Sequence, residues 1–118
     1  AGATLILPDS CLTQAPPHWR KQIVEHEVTV WNTVPALADL LVEDQEPDSL
    51  PTLRLALLSG DWIPLDLPDK LRATMGSGSE ILALGGATEA AIWSNSFSVM
   101  AIEEQWSSIP YGTPLGNQ

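Results

Sequence analysis

The feature that most limits what this chain can become is its rhythm: short apolar runs carrying β-branched residues alternate with longer stretches of helical periodicity. Parallel strands need a long crossover, and an amphipathic helix supplies it, so the rhythm predicts an α/β fold with a mostly parallel sheet and flanking helices. Residues 4–7 read as a strand closed by Pro8 and Asp9, residues 28–32 as the next, and residues 53–58 and 81–84 as two more. Residues 17–27 read as a helix with Trp19, Ile23 and Val24 on one face. Pro35, suited to a first helical turn, opens an apolar helix through Leu37, Leu40, Leu41 and Val42. Residues 64–75 read as a third helix, with Leu65, Leu67 and Leu71 inward and Asp66, Asp69, Lys70 and Arg72 outward. The run 53–58 is almost continuously apolar, which predicts burial on both faces, as in a central parallel strand. Residues 90–99 combine a helical turn with a strand, the boundary between them being open.

With 118 residues there is room for one domain and one core. Fifteen acidic against five basic residues give a net charge of -10, which argues against a nucleic-acid partner, since phosphates demand clustered Lys and Arg. The charge reads either as solubility or as the counterpart of basic groups on chain outside these residues. Cys11 is the single cysteine, so neither an internal disulfide nor a cysteine-rich metal site is available. No apolar run approaches the roughly 20 residues of a spanning helix, and residues 1–8 lack the basic start of a signal peptide, so we expect no membrane partner and a cytoplasmic origin. The opening Ala1-Gly2-Ala3 without an initiator methionine, and a turn-rich stretch from Pro110 to Gln118 with no closing element, predict a piece cut from a longer protein. Gly76-Ser77-Gly78-Ser79 reads as a solvent loop or an engineered join. His18 and His26 are expected to be exposed and make no zinc site, while Ser59 lacks the Gly-x-Ser-x-Gly elbow of a hydrolase.

In open parallel sheets, ligands bind beyond the carboxyl ends of the strands, where loops and helix amino termini converge. Three such ends carry unusual residues: Asn32-Thr33, then Ser59-Gly60-Asp61-Trp62, then Gly85-Gly86-Ala87-Thr88-Glu89. Each alone is explained by turn chemistry or helix capping. The last run fits neither the Walker loop, which needs Lys-Ser or Lys-Thr, nor the Gly-x-Gly-x-x-Gly dinucleotide fingerprint.

Four runs read together are more specific: VTVWNTVPAL (28–37), LSGDWIPLDLP (58–68), LGGATEAAIWS (84–94) and SIPYGTPLGNQ (108–118). Their order and spacing resemble the adenylation domains of nonribosomal peptide synthetases, over nearly the whole chain, and LGGATEAAIW with SGDWIPL resembles the branch feeding heterocyclising modules. The resemblance implies that residues 1–118 are a single flavodoxin-like subdomain of an adenylate-forming core. It also implies ATP and Mg2+ as cofactors of the complete domain. The partners it implies are the remainder of that domain, an amino-acid substrate and the phosphopantetheine arm of a carrier protein.

By the same resemblance, Gly85 to Glu89 match the motif more often written Tyr-Gly-Pro-Thr-Glu. Thr88 is then expected at the α-phosphate and Glu89 at magnesium, chemistry that suits a hydroxyl beside a hard cation held by carboxylate and phosphate oxygens. Gly85 stands where an aromatic often packs near adenine, and Ala87 where proline is usual. Gly60, Asp61 and Trp62 match the loop on the other side of the adenine, although Trp62 reads equally as a packing tryptophan. The selectivity pocket maps onto Asn32, Leu57, Ser59, Leu84, Ile92 and Trp93, a set resembling the cysteine-selecting pattern. Leu57, Leu84, Ile92 and Trp93 would make a small apolar cavity, and Asn32 and Ser59 its polar contacts. Periodicity predicts Leu57, Leu84 and Ile92 equally well as plain core residues. The phosphate loop, the aspartates for the ammonium group and ribose, and the catalytic lysine are expected outside these residues, leaving the piece inactive alone. Rivals are the same family with another small amino acid such as serine, and a freestanding flavodoxin-like binding module.

Overall fold

The computed structural model describes residues 2–90 and 92–116. Its elements run α1 (Pro16–Glu25), β1 (Val30–Thr33), α2 (Pro35–Val42), β2 (Leu55–Ser59), α3 (Leu67–Thr74), β3 (Glu80–Gly85), a single 3-10 turn (Thr88–Ala90), β4 (Asn95–Ser98) and β5 (Thr113–Pro114). The sheet order is β1-β2-β3-β4-β5. The first three strands are parallel and joined through helical crossovers, and β4 and β5 close the far edge antiparallel. The α/β class and the mostly parallel sheet expected from the rhythm are therefore the fold observed.

All three helices contribute to one core against one face of the sheet. Trp19 and Ile23 of α1, Ala38, Leu41 and Val42 of α2, and Leu67 and Leu71 of α3 are buried with Ala56 and Leu58 of β2 and Ile81 and Ala83 of β3. Trp31 of β1 completes that layer, its ring centroid 5.8 Å from that of Trp19. Two arginines tie elements together by donating to backbone carbonyls of a neighbour, in the first case those that a helix terminus leaves without partners. Arg20 of α1 donates to the carbonyls of Leu40, Leu41 and Glu43 at the end of α2, at 2.8, 2.7 and 3.1 Å. Arg72 of α3 donates to the carbonyls of Val99 and Met100 beyond β4.

Several expectations are corrected. Residues 4–7 are not a strand: Leu5 and Leu7 are 80% and 69% exposed, and a cleft of about 730 Å³ separates this segment from β1, the strand edge it would have to join. Val24 and Leu40 point outward, because the apolar stripe of α1 and α2 is narrower than their composition suggested. Leu55 and Leu57 are only half-buried, alternating with the buried Ala56 and Leu58, so β2 is covered on one face and not on both. His18 is half-buried and accepts the Asp9 backbone N–H at 3.3 Å. The C-terminal stretch does contain a closing element, since Thr113–Pro114 pairs with Asn95 and Ser96.

Candidate functional site

Because β1, β2 and β3 are adjacent and parallel, their carboxyl ends at Thr33, Ser59 and Gly85 lie on one rim of the sheet. Register decides which side chains share a face. Asn32 pairs with Leu57, Leu57 with Leu82, and Ser59 with Leu84, and paired residues project to the same side. Asn32, Leu57, Ser59 and Leu84 consequently stand together on the face that carries no helix. Leu57, Ser59 and Leu84 are half-buried there and Asn32 is exposed. These four make a wall open to solvent.

The turn after β2 reverses at Gly60, whose φ of 90° suits glycine, and the Asp61 carboxylate accepts the Trp62 N–H at 2.7 Å. Asp61 and Trp62 are exposed at the rim. The loop after β3 doubles back on itself: Ile92 N–H donates to the Ala87 carbonyl at 3.1 Å and Ser94 N–H to the Gly85 carbonyl at 2.8 Å. This return brings the backbone of residue 93 so close to Gly86 that a Cβ there would lie 2.9 Å from the Trp93 Cα. Thr88 and Glu89 sit exposed on the 3-10 turn between the two arms. Ile92 holds a φ of 77°, strained for a β-branched side chain, and is 67% exposed, while Trp93 is half-buried.

Two concavities take in only some of the candidate residues, Asn32 in one and Asp61, Trp62 and Leu84 in the other. The 730 Å³ cleft beside β1 takes in Asn32 and Thr33, with Trp19 and Trp31 deeper inside. A small crevice of about 10 Å³ lies among Asp61, Trp62, Leu84 and Tyr111. Leu57 and Ser59 face the open ground between Asn32 and Leu84.

The donors present offer magnesium only part of a coordination shell. Among the described residues no group of three His, Cys, Asp or Glu side chains converges to hold a metal ion. Magnesium commonly takes only one or two carboxylates and completes its shell with phosphate and water. The single exposed carboxylate of Glu89 fits that partial role and cannot form a site alone.

Sequence reasoning overlooked what surrounds Gly85. Its direct partner on β4 is Asn95, whose side-chain oxygen is buried and without a hydrogen-bond partner. The Tyr111 ring lies 3.0 Å from where a Cβ of residue 85 would stand, and 5.5 Å from the Trp62 ring, tilted 56°. The signal that pointed there was the glycine itself, at the position where the resemblance implies an aromatic.

Comparison with known proteins places this geometry in context. The family described as AMP-binding enzyme matches residues 1–118. The anguibactin system regulator of Vibrio anguillarum is 46% identical over 124 residues, covering all of this chain and 12% of that protein. Pyochelin synthetase PchE of Pseudomonas aeruginosa is 44% identical over 125 residues, again over the whole chain but 8% of the relative. The AMPPNP-bound form of the nonribosomal peptide synthetase FmoA3 superposes with a TM-score of 0.91 at 44% identity, over 98% of this chain and 13% of that one. Its α-methyl-L-serine-AMP-bound form gives 0.88 at the same identity, over 96% and 13%. The chain thus spans about an eighth or less of these relatives.

Proposed function

The chain belongs to the AMP-binding enzyme family and corresponds to a stretch of a nonribosomal peptide synthetase adenylation domain, and from that premise we propose that it forms the amino-acid-selecting wall, and part of the ATP-binding wall, of a domain that activates L-cysteine. The observation carrying this reading is the register that sets Asn32, Leu57, Ser59 and Leu84 on one open face, at the rim where Thr88 and Glu89 stand. Apolar Leu57 and Leu84, with Ile92 and Trp93 on the returning loop, suit a small side chain, and Asn32 and Ser59 suit its polar end.

In this reading residues 1–118 act as one subdomain of the larger enzyme. Gly60, Asp61 and Trp62 flank the nucleotide on one side, and Gly85, Gly86, Ala87 and Thr88 on the other. Small residues at 85 to 87 would let a phosphate approach the backbone, the Thr88 hydroxyl would donate to the α-phosphate, and Glu89 would supply one carboxylate to Mg2+. That cation, when bound, neutralises charge on the phosphate oxygens. Product transfer would follow to the phosphopantetheine thiol of a carrier protein. Charge neutralisation around an in-line transfer needs more cationic groups than this chain brings to the rim, so the piece alone is expected to be silent.

A second reading, the same wall selecting serine or a close analogue, is favoured by the similarity to a synthetase whose solved form holds α-methyl-L-serine-AMP. Amino-acid-dependent ATP–pyrophosphate exchange by a complete adenylation domain carrying this chain separates them. L-cysteine giving the highest kcat/KM supports the first reading, and L-serine doing so replaces it with the second. Exchange by residues 1–118 alone would contradict the dependence on outside segments.

A further inference from the structure

We propose that Tyr111 is the residue on which the base of the nucleotide stacks in this chain, taking over from a side chain that Gly85 does not provide. The inference rests on the ATP-wall reading above and adds a residue to it. Gly85 ends β3 with its Cα turned to the helix-covered side, opposite in sense to Leu84, so alternation separates the base from the amino-acid wall. The space a side chain at 85 would need is already taken by Asn95 from β4 and by the ring of Tyr111. A bulky residue at 85 and the observed seat of Tyr111 are therefore mutually exclusive.

What arrives in that space is aromatic. Tyr111 follows Ile109, which is buried in the core and donates its N–H to the Ile63 carbonyl, so the segment bearing Tyr111 is anchored beside the Asp61-Trp62 turn. Gly112 then lets the chain pass close over Ser96 and Phe97 into β5. The ring is fixed from two sides, by Gly85 and by Trp62, yet 55% of the residue remains exposed at the rim. At a centroid distance of 5.5 Å and a tilt of 56° the two rings do not stack on one another, and the crevice between them is too small for a base. A planar heterocycle accordingly lies against the outer, exposed part of Tyr111. An exposed ring held rigid by its neighbours has little freedom to lose on stacking.

The test uses a complete adenylation domain carrying this chain, with inhibition of ATP–pyrophosphate exchange by AMP and by ribose 5-phosphate as the readout. If the base stacks on Tyr111, Tyr111→Ala and Tyr111→Leu both raise the AMP inhibition constant by about tenfold, and Tyr111→Phe stays within about twofold of the unsubstituted domain. The inhibition constant of ribose 5-phosphate, which has no base, is unchanged in all three. Tyr111→Leu keeps apolar bulk against Gly85, so it distinguishes the loss of a π face from the loss of packing. Equal weakening of AMP and ribose 5-phosphate, or AMP inhibition in Tyr111→Ala unchanged from the unsubstituted domain, overturns the inference while leaving the ATP-wall reading intact. An unsubstituted domain that AMP does not inhibit at all removes that reading, and the inference with it.

Discussion

Leu57 and Leu58 are neighbours on one strand, yet they live in different surroundings. Leu58 is fully buried beneath the helices, whereas Leu57 is only partly buried, on a face where no helix lies. The same contrast runs across β3, where Ile81 and Ala83 are buried and Leu82 and Leu84 are not. One face of this sheet is spent on stability and the other is left free for contact. A chain whose apolar residues were all committed to its own core would alternate with polar residues here, as one-sided sheets do. This one does not, and two leucines of the open face, Leu57 and Leu84, are among the residues to which the amino-acid wall is assigned.

The sharpest way to break that contrast is to truncate both faces. Leu58→Ala should cost about 3 kcal/mol of stability in urea unfolding, the usual range for a leucine cavity in a packed core. A loss comparable to that of an exposed site would mean that the helical layer is not the core. Arg20→Met comes next. It leaves the carbonyls of Leu40, Leu41 and Glu43 without their donor, and a loss of about 1–2 kcal/mol is expected in the same measurement. Leu57→Ala should cost less than Leu58→Ala, about 1–2 kcal/mol, because its side chain is only partly covered. If it matched Leu58→Ala, the open face would not be open.

Lys70 provides the smallest effect and a control on the solvated side of the helices. Its hydrogen bonds to Asp66 and then to Asp39, at 2.8 and 2.9 Å, hold its pKa above the ordinary 10.5. The unfolded chain gives up that proton first, so the stabilisation is complete below about 10.5 and fades as pH rises through the folded value. Asp66 is held below its ordinary 3.8, chiefly by the hydrogen bond from Lys70, so its contribution is present above that value and is lost as pH falls through the folded one. All three side chains are about half exposed or more, and high salt should erase the difference between Lys70→Met and the unsubstituted chain at neutral pH. A difference that persists in salt would mean that Lys70 contributes through packing.

The covered face was largely legible in the sequence. The spacing of Trp19 and Ile23, the proline opening α2, and Leu67 and Leu71 with charged residues between them carry their burial in their periodicity. The open face was not, because a continuous apolar run such as 53–58 reads the same whether its second face is covered by this chain or by another. Residues 4–7 misled for a related reason. Four apolar residues fit a strand, but a strand exists only if an edge accepts it, and local sequence does not say which edges are free. β5 escaped notice because two residues including a proline give no pattern. Of the candidate site, the order of the three strand ends was readable from the motifs. The seat of Tyr111 over Gly85 was not, since it depends on a contact between residues 26 positions apart.

We propose that the helix-free face of the sheet, at the rim of β1, β2 and β3, receives the amino acid. Leu57→Trp in a complete adenylation domain fills that face without entering the helical core, and the L-cysteine KM in ATP–pyrophosphate exchange reads the result directly. This KM is expected to rise by more than about tenfold while the ATP KM changes by less than about twofold. An unchanged cysteine KM with tryptophan in place would contradict it.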